Sequence, residues 1–340
     1  MRQAVYTGPG TIAVRDGQIG QPGPGQVRVD VAYTGICGTD LHIFHGDMDA
    51  RIGGESVIGH EMSGRIAALG PGVTGWSVGD PVTVMPLDWC GECSACVRGN
   101  WHVCQRLTFI GIDSPGAMQQ SWVVPERTLI RLPDDVSLEH AALVEPTAVA
   151  VHDVRRAGVR PGDTALVVGG GPVGLLIAVV ARRFGADVVL VETDAYRRTL
   201  AERVGFRTLD PNAVDVAAEI DTWTGGAGAR IAFEVSGAEA GLATAVDSLA
   251  VRGTLCLVAI HVRPRPVDLH RFFWRELSLV GARLYQRDDF EHAVTLIADG
   301  VVPAAELISR VDPLPAAAGA FAALSAKGSV MKVLIDCQAG

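Results

Sequence analysis

Apolar and polar positions follow two different rhythms along the chain. Over the first 150 residues they alternate in short runs broken by Gly and Pro. Val27, Val29, Val31 and Tyr33 share one face of a predicted half-buried strand. Gly20-Gln21-Pro22-Gly23-Pro24-Gly25 and Leu69-Gly70-Pro71-Gly72 punctuate that region as turns. From about residue 160, strand-like runs alternate with helical ones: Thr164–Val168, a helix from Pro172, Asp187–Glu192, and a helix from Asp194. Ile231–Val235, a helix near Glu239–Leu249 and Gly253–Ile260 continue the pattern. Strand–helix alternation at this spacing predicts an α/β unit with a doubly wound parallel sheet covered on both faces. After Leu277–Tyr285 the rhythm ends. A helix around Phe290–Ala298, an Ala-rich helix near Pro315–Ala326 and a strand at Met331–Ile335 are predicted there.

The length of 340 residues suits two domains, and a composition 48% hydrophobic and 20% charged supplies enough apolar material for their cores. Lys and Arg total 29 against 38 Asp and Glu, a formal charge of −9, and no basic run appears. A nucleic-acid partner would require the opposite balance. The longest apolar stretches, such as Leu175–Ala181, stop far short of a ~20-residue span, so no membrane partner is expected. The opening Met1-Arg2-Gln3-Ala4-Val5 has no apolar signal-like core, which makes a cytoplasmic location the expectation.

Thr164–Val168 runs into Gly169-Gly170-Gly171-Pro172-Val173-Gly174 and then an apolar helix. This is G-x-G-x-x-G in the context it requires. Gly169 permits a tight turn, Gly171 lets a pyrophosphate approach the backbone, and Gly174 allows close helix–strand packing. About 20 residues on, Glu192 ends the next strand and supplies the acid expected to bind a ribose 2′-hydroxyl. Glu192 would repel a 2′-phosphate, favouring NAD over NADP. Arg197 and Arg198 could instead hold that phosphate, and Arg197 is assigned a place against the adenine ribose. A glycine turn without a ligand is the alternative.

Cys90, Cys93, Cys96 and Cys104 fall within fifteen residues. Their two-residue gaps let thiolates converge on one tetrahedral zinc, and an all-thiolate site with no open position is structural. Free thiols or two disulfides are the alternatives. A second set is dispersed: Cys37 in GICGTDLH, His60 and Glu61 in GHEMSG, and Glu145 in LVEP. Each has a bland reading as a buried Cys, a core His or a solvated Glu. Beside a dinucleotide motif, together they meet a demand of hydride chemistry, because a catalytic zinc with an open position makes an alkoxide accessible near neutral pH.

These motifs, with the closing MKVLI, fall in the order of the zinc-dependent medium-chain alcohol dehydrogenases, and the chain resembles that family over essentially its whole length. Glu145 in LVEP resembles the 2,3-butanediol, sorbitol and threonine dehydrogenases, and the run from Ala240 to Leu255 most resembles the butanediol enzymes. The resemblance implies a GroES-like, β-rich catalytic domain at 1–150, a Rossmann domain at 151–286, and a return to the catalytic domain at 287–340. It implies two zinc ions per chain, NAD as cofactor, and a homodimer or homotetramer joined through an edge strand, for which Leu277–Tyr285 is the candidate.

It also implies roles. Thr39 is the first hydroxyl of a proton relay with His42 nearer solvent, Asp40 orients His60, and Val258, Ala259 and Ile260 join the glycine turn in holding the cofactor. Cys37, neutral His60 and one carboxylate neutralise Zn2+, so Glu61 and Glu145 are expected to be alternatives, one a ligand and the other a hydrogen-bond acceptor. The expected reaction is oxidation of a small secondary alcohol, most of all a vicinal diol, to a ketone. Leu284 and Ile43 stand where sorbitol dehydrogenases tend to carry polar residues, which argues against a long polyol. A quinone or enone reductase on the same fold and a non-enzymatic zinc-bearing binding protein are the rival classes.

Overall fold

The computed structural model describes residues 1–326 and 329–340. In chain order, the elements that position the chemistry are strand β1 (Gln26–Gly35), helix α1 (Gly38–Phe44), strand β2 (Glu61–Leu69), strand β3 (Thr164–Val168) and helix α2 (Pro172–Arg183). They are followed by strands β4 (Asp187–Val191), β5 (Arg207–Leu209), β6 (Ala229–Glu234) and β7 (Leu249–Leu257), helix α3 (Leu269–Arg275), and strands β8 (Ser278–Gly281) and β9 (Lys332–Asp336). The chain divides into two compact units. One comprises Met1–Glu145, Gln286–Gly300 and Leu307–Gly340; the other comprises Pro146–Tyr285 and Val301–Glu306.

The first unit is built on a seven-stranded sheet. Its main path runs through Leu129–Arg131, Pro81–Val84, β2, β1, β9 and Ile308–Pro313, while Ser121–Pro125 pairs with β1 off that path. The period-2 pattern holds in β1, where Val27, Val29 and Val31 are fully buried. β9 lies antiparallel to β1, with Leu334 opposite Gly35 and Ile335 opposite Thr34, so the end of the chain is a central strand of the unit in which it began.

The second unit is a six-stranded parallel sheet in the order β5-β4-β3-β6-β7-β8. Counted within the unit, this is the doubly wound order 3-2-1-4-5-6, with the reversal between β3 and β6. Ligands of such sheets bind beyond the carboxyl ends of the strands at that reversal. Leu166, Val189, Ala232 and Leu255 bury one face against Leu242, Ala245 and Val246 of the helix Glu239–Asp247. Two sequence expectations shift. The strand predicted at Gly253–Ile260 is β7, which starts four residues earlier and ends three earlier, and Leu277–Tyr285 keeps only Ser278–Gly281 as strand. The remainder bends because Leu284 takes a positive φ of 59° while the Tyr285 side chain is fully buried.

Among the described residues, no helix is long and apolar enough to cross a membrane. Because β9 closes the first unit's core, Leu334→Ala is expected to destabilise it by ~2–5 kcal/mol. A denaturant midpoint indistinguishable from wild type would contradict that placement of the strand.

Candidate active site and metal centres

Three of the four dispersed residues converge, and Glu145 is not among them. Cys37 Sγ, a ring nitrogen of His60 and a carboxylate oxygen of Glu61 lie within 4.8 Å of one another. Local sequence explains part of this. Cys37 is the N-cap of α1, and its backbone N–H donates to Asp40 Oδ2 at 2.8 Å. Asp40 Oδ1 faces His60 Nδ1 at 3.6 Å, both groups being buried. The carboxylate predicted to orient His60 therefore stands beside it. Phe109 packs edge-on to the imidazole, with ring centroids 5.1 Å apart.

Strand register supplies the rest. Gly35 pairs with Glu61 of β2 on one side and with Leu334 of β9 on the other. A Cβ at Gly35 would collide with the Glu61 carboxylate and crowd the Lys332 side chain. In the space left open, Lys332 forms a buried ion pair with Glu61 and donates to Ile36 O at 3.0 Å. Sequence reasoning missed Lys332; the available signal was a lysine opening the apolar run of MKVLI.

The electrostatics are those of a cation site. Burial pushes the His60 imidazole down, but Asp40, Cys37 and Glu145 outweigh it and carry it up to about 10. Burial likewise lowers Lys332, and Glu61, Cys37 and Glu145 raise it further than that. Glu145 is thus close enough for both groups to feel its charge. A thiolate, an imidazole and a carboxylate within reach of one point are a donor set that fits catalytic zinc.

Thr39 is half-buried and His42 exposed, with His42 Nδ1 3.0 Å from Asp47 Oδ2. Their positions run from the buried site toward water. Ile43, by contrast, is fully buried on the inward face of α1 with Asp40 and Phe44. Its apolar character therefore serves packing and carries no information about the substrate, which corrects the sequence inference drawn from it.

The thiols of Cys90, Cys93, Cys96 and Cys104 also converge, with all four sulfur atoms within 4.8 Å. Cys90–Cys96 is 3.9 Å, Cys93–Cys104 is 3.8 Å and Cys90–Cys104 is 3.4 Å. Four Zn–S bonds of ~2.3 Å in a tetrahedron put sulfurs about 3.8 Å apart, so the spacing fits the ion. Backbone N–H groups point at the sulfurs, from Cys93 to Cys90 at 3.4 Å and from Arg106 to Cys104 at 3.3 Å. Such donors, foremost that of Glu92, pull the Cys90 thiol down to about 6, while burial pushes Cys96 up to about 12. Trp89 stacks on Trp101 beside the lobe at 5.2 Å, and Trp101 Nε1 donates to Cys96 O.

In the second unit, Gly169 turns the chain at φ 107°, and a Cβ on Gly174 would strike Gly169 O. α2 begins at Pro172 with no side-chain cap, leaving its first N–H groups to a ligand. A Cβ at Gly171 would meet nothing nearer than Arg197 Nη1 at 3.6 Å, so the cradle has room for a phosphate. Val173 follows in the same first turn. Glu192 is held at the end of β4 by N–H donors from Gly170 at 2.7 Å and Asp194 at 2.8 Å. Arg197 lies 3.9 Å from Glu192, whereas Arg198 is engaged by Asp210 at 2.9 Å and by the Glu192 and Thr193 carbonyls. Val258, Ala259 and the exposed Ile260 follow β7 at the same carboxyl edge.

Comparison with known proteins agrees with both units. Residues 23–134 match the alcohol dehydrogenase GroES-like domain, and residues 172–299 match the zinc-binding dehydrogenase domain. The chain is 47% identical over 339 residues to 2-dehydro-3-deoxy-L-galactonate 5-dehydrogenase of Pseudoalteromonas atlantica, covering 100% of this chain and 99% of the relative. It superposes on 2R,3R-butanediol dehydrogenase of Bacillus subtilis with a TM-score of 0.91 at 30% identity, covering 98% of this chain and 99% of that one. A zinc-binding dehydrogenase of Sinorhizobium meliloti, solved with NADP, aligns with a TM-score of 0.93 at 30% identity and 98% coverage of each chain.

Two separate thiol-containing centres predict separable metal losses. In elemental analysis, Cys37→Ala should lose about one zinc per chain with the fold kept. Cys93→Ala should lose the lobe's zinc together with thermal stability. Full metal content in both variants would refute the assignment.

Proposed function

Because the chain belongs to the zinc-binding dehydrogenase family of alcohol oxidoreductases, we propose that it oxidises a secondary hydroxyl flanked by a second polar group in a polyhydroxylated acid or diol. The observation that carries this is the whole-length, 47% identity to an enzyme named for a 2-keto-3-deoxy sugar acid. The fully buried Ile43 removes half of the argument against a longer hydroxylated chain. The resemblance to butanediol dehydrogenase supports the vicinal element.

Cys37, His60 and Glu61 are the residues to hold the catalytic ion, and Cys90, Cys93, Cys96 and Cys104 the structural one. When bound, zinc supplies Lewis acidity for loss of the alcohol proton and the nicotinamide accepts the hydride. Asp40 fixes the His60 ring. Lys332 offsets the charge of Glu61, so Glu145 is free to act as acceptor for the neighbouring substrate hydroxyl without making the centre too negative for deprotonation. Thr39 Oγ1 takes the proton as its own hydroxyl proton moves on toward the exposed His42, which releases one to water.

The glycine turn of Gly169, Gly171, Pro172, Val173 and Gly174 takes the pyrophosphate, with Glu192 and Arg197 on the adenosine ribose and Val258, Ala259 and Ile260 on the nicotinamide half. NAD is preferred because Glu192 occupies the ribose-reading position and Arg198 is turned to Asp210. The cytoplasm is the compartment that suits a lobe of four free thiols.

Measuring kcat/KM for 2-dehydro-3-deoxy-L-galactonate (in the reverse direction, its keto product), 2,3-butanediol, sorbitol and 2-butanol, each with NAD and NADP, tests the proposal. The hydroxylated substrates should exceed 2-butanol by about 10- to 100-fold, since a buried acceptor left unpaired costs ~1–3 kcal/mol. Equal activity on 2-butanol would remove the role given to Glu145, and a preference for NADP would remove that of Glu192.

The oligomer is assigned to the β8 edge. A bare edge strand invites pairing, and the neighbouring α3 exposes Leu269, Phe273 and Trp274. Light scattering at micromolar concentration should report a dimer or tetramer, shifted toward monomer by Phe273→Glu with Trp274→Glu. A wild-type monomer would contradict this.

A further inference from the structure

Glu234 ends β6 at the carboxyl edge of the nucleotide-binding sheet and is fully buried. Its Oε1 accepts from Ser236 N at 2.9 Å, Ser236 Oγ at 2.5 Å and Gly237 N at 3.0 Å. Its Oε2 meets His261 Nε2 at 2.8 Å. The main-chain oxygen of the same residue accepts from Val258 N and Ala259 N, both at 3.0 Å. One residue therefore ties together two loops, 236–237 and 258–261.

The first of these loops abuts the glycine turn: a Cβ at Gly169 would meet Ser236 N at 2.9 Å. The second carries the residues assigned to the cofactor. Sheet order says which half of the cofactor they face. The pyrophosphate site is at the end of β3, and Glu192 lies beyond β4 on one side of it. β6 and β7 lie on the other side, so an extended dinucleotide that sets its adenosine ribose on Glu192 runs its nicotinamide half over the ends of β6 and β7.

We propose that His261 is a positioning residue for the nicotinamide half of the cofactor, acting through Glu234 to hold the Val258–Ile260 loop against the end of β6. The chemistry of the pair defines the contact. A carboxylate only accepts, so His261 Nε2 carries the proton and donates. Nδ1 is buried without a hydrogen-bond partner, so the bond to Glu234 is the ring's polar contact among the described residues. A ring that leaves one nitrogen unpaired is a poor space-filler compared with an apolar side chain, which marks the Nε2 bond as the feature that is kept.

The inference rests on the cofactor assignment above, and ADP separates the two, since it carries the adenosine half alone. Full-length wild type, His261→Ala, His261→Gln and His261→Asn are titrated by calorimetry with NADH and with ADP. Gln can present its amide N–H where Nε2 stood, whereas Asn mimics Nδ1 and falls short. His261→Ala should weaken NADH by about 10- to 100-fold, as loss of a charge-assisted hydrogen bond does, while ADP affinity stays within about twofold. Gln should restore most of the NADH affinity and Asn should not. If the alanine variant does not fold, His261→Phe, which keeps a ring of similar size, replaces it in the comparison with Gln.

Equal loss of NADH and ADP, or Gln no better than Ala or Phe, overturns the proposal. Wild-type protein that binds neither NADH nor ADP overturns the cofactor assignment and this inference with it.

Discussion

A buried ammonium makes the dispersed site possible. Cys37, Asp40, Glu61 and Glu145 bring anionic groups to one centre, and His60 is there to meet a cation. Packing that much like charge away from water is costly without compensation, and a divalent ion alone does not balance it. Lys332 offsets one of those charges permanently. Losing one partner of such a buried pair would leave a charge uncompensated, at about 3–5 kcal/mol. With Lys332 counted, a second carboxylate beside a bound metal would no longer work against deprotonation of a substrate, which is the basis for proposing Glu145 as an acceptor beside Glu61.

The interaction depends on strand order. Lys332 can reach Glu61 only because β9 is laid beside β1 and β1 beside β2, with Gly35 between the two side chains. The return of the chain end to the first unit therefore completes a sheet and also delivers the counter-charge. A side chain at position 35 would separate the pair without touching either residue's chemistry.

The second unit is built differently, offering uncapped backbone N–H groups at the start of α2 where the first unit gathers side-chain charges. α2 starts uncapped, the glycines clear the approach, and Glu192 is fixed by the N–H groups of the turn it serves. At the opposite side of the turn, Glu234 gathers two loops through five bonds from N–H and O–H donors and one to His261. Glu234 ends its parallel strand and Glu192 directly follows β4, where neighbouring loops present N–H groups.

The glycine turn with Glu192 and the cysteine lobe were legible from sequence because their parts are close in the chain. Two-residue gaps bring thiols within reach of one ion whatever the rest of the fold does, and a strand running into a glycine-rich helix start makes its own phosphate cradle. The α/β rhythm of the second unit was legible for the same reason, since its period is set residue by residue. Cys37, His60, Glu61 and Glu145 could be nominated from motifs, but the convergence of the first three was not visible in them. Lys332, the Glu234–His261 pair and the packing role of Ile43 were decided only by tertiary structure. Each is fixed by strand register or by which face of a helix meets the core, and these depend on contacts between segments far apart in the chain that no local pattern encodes.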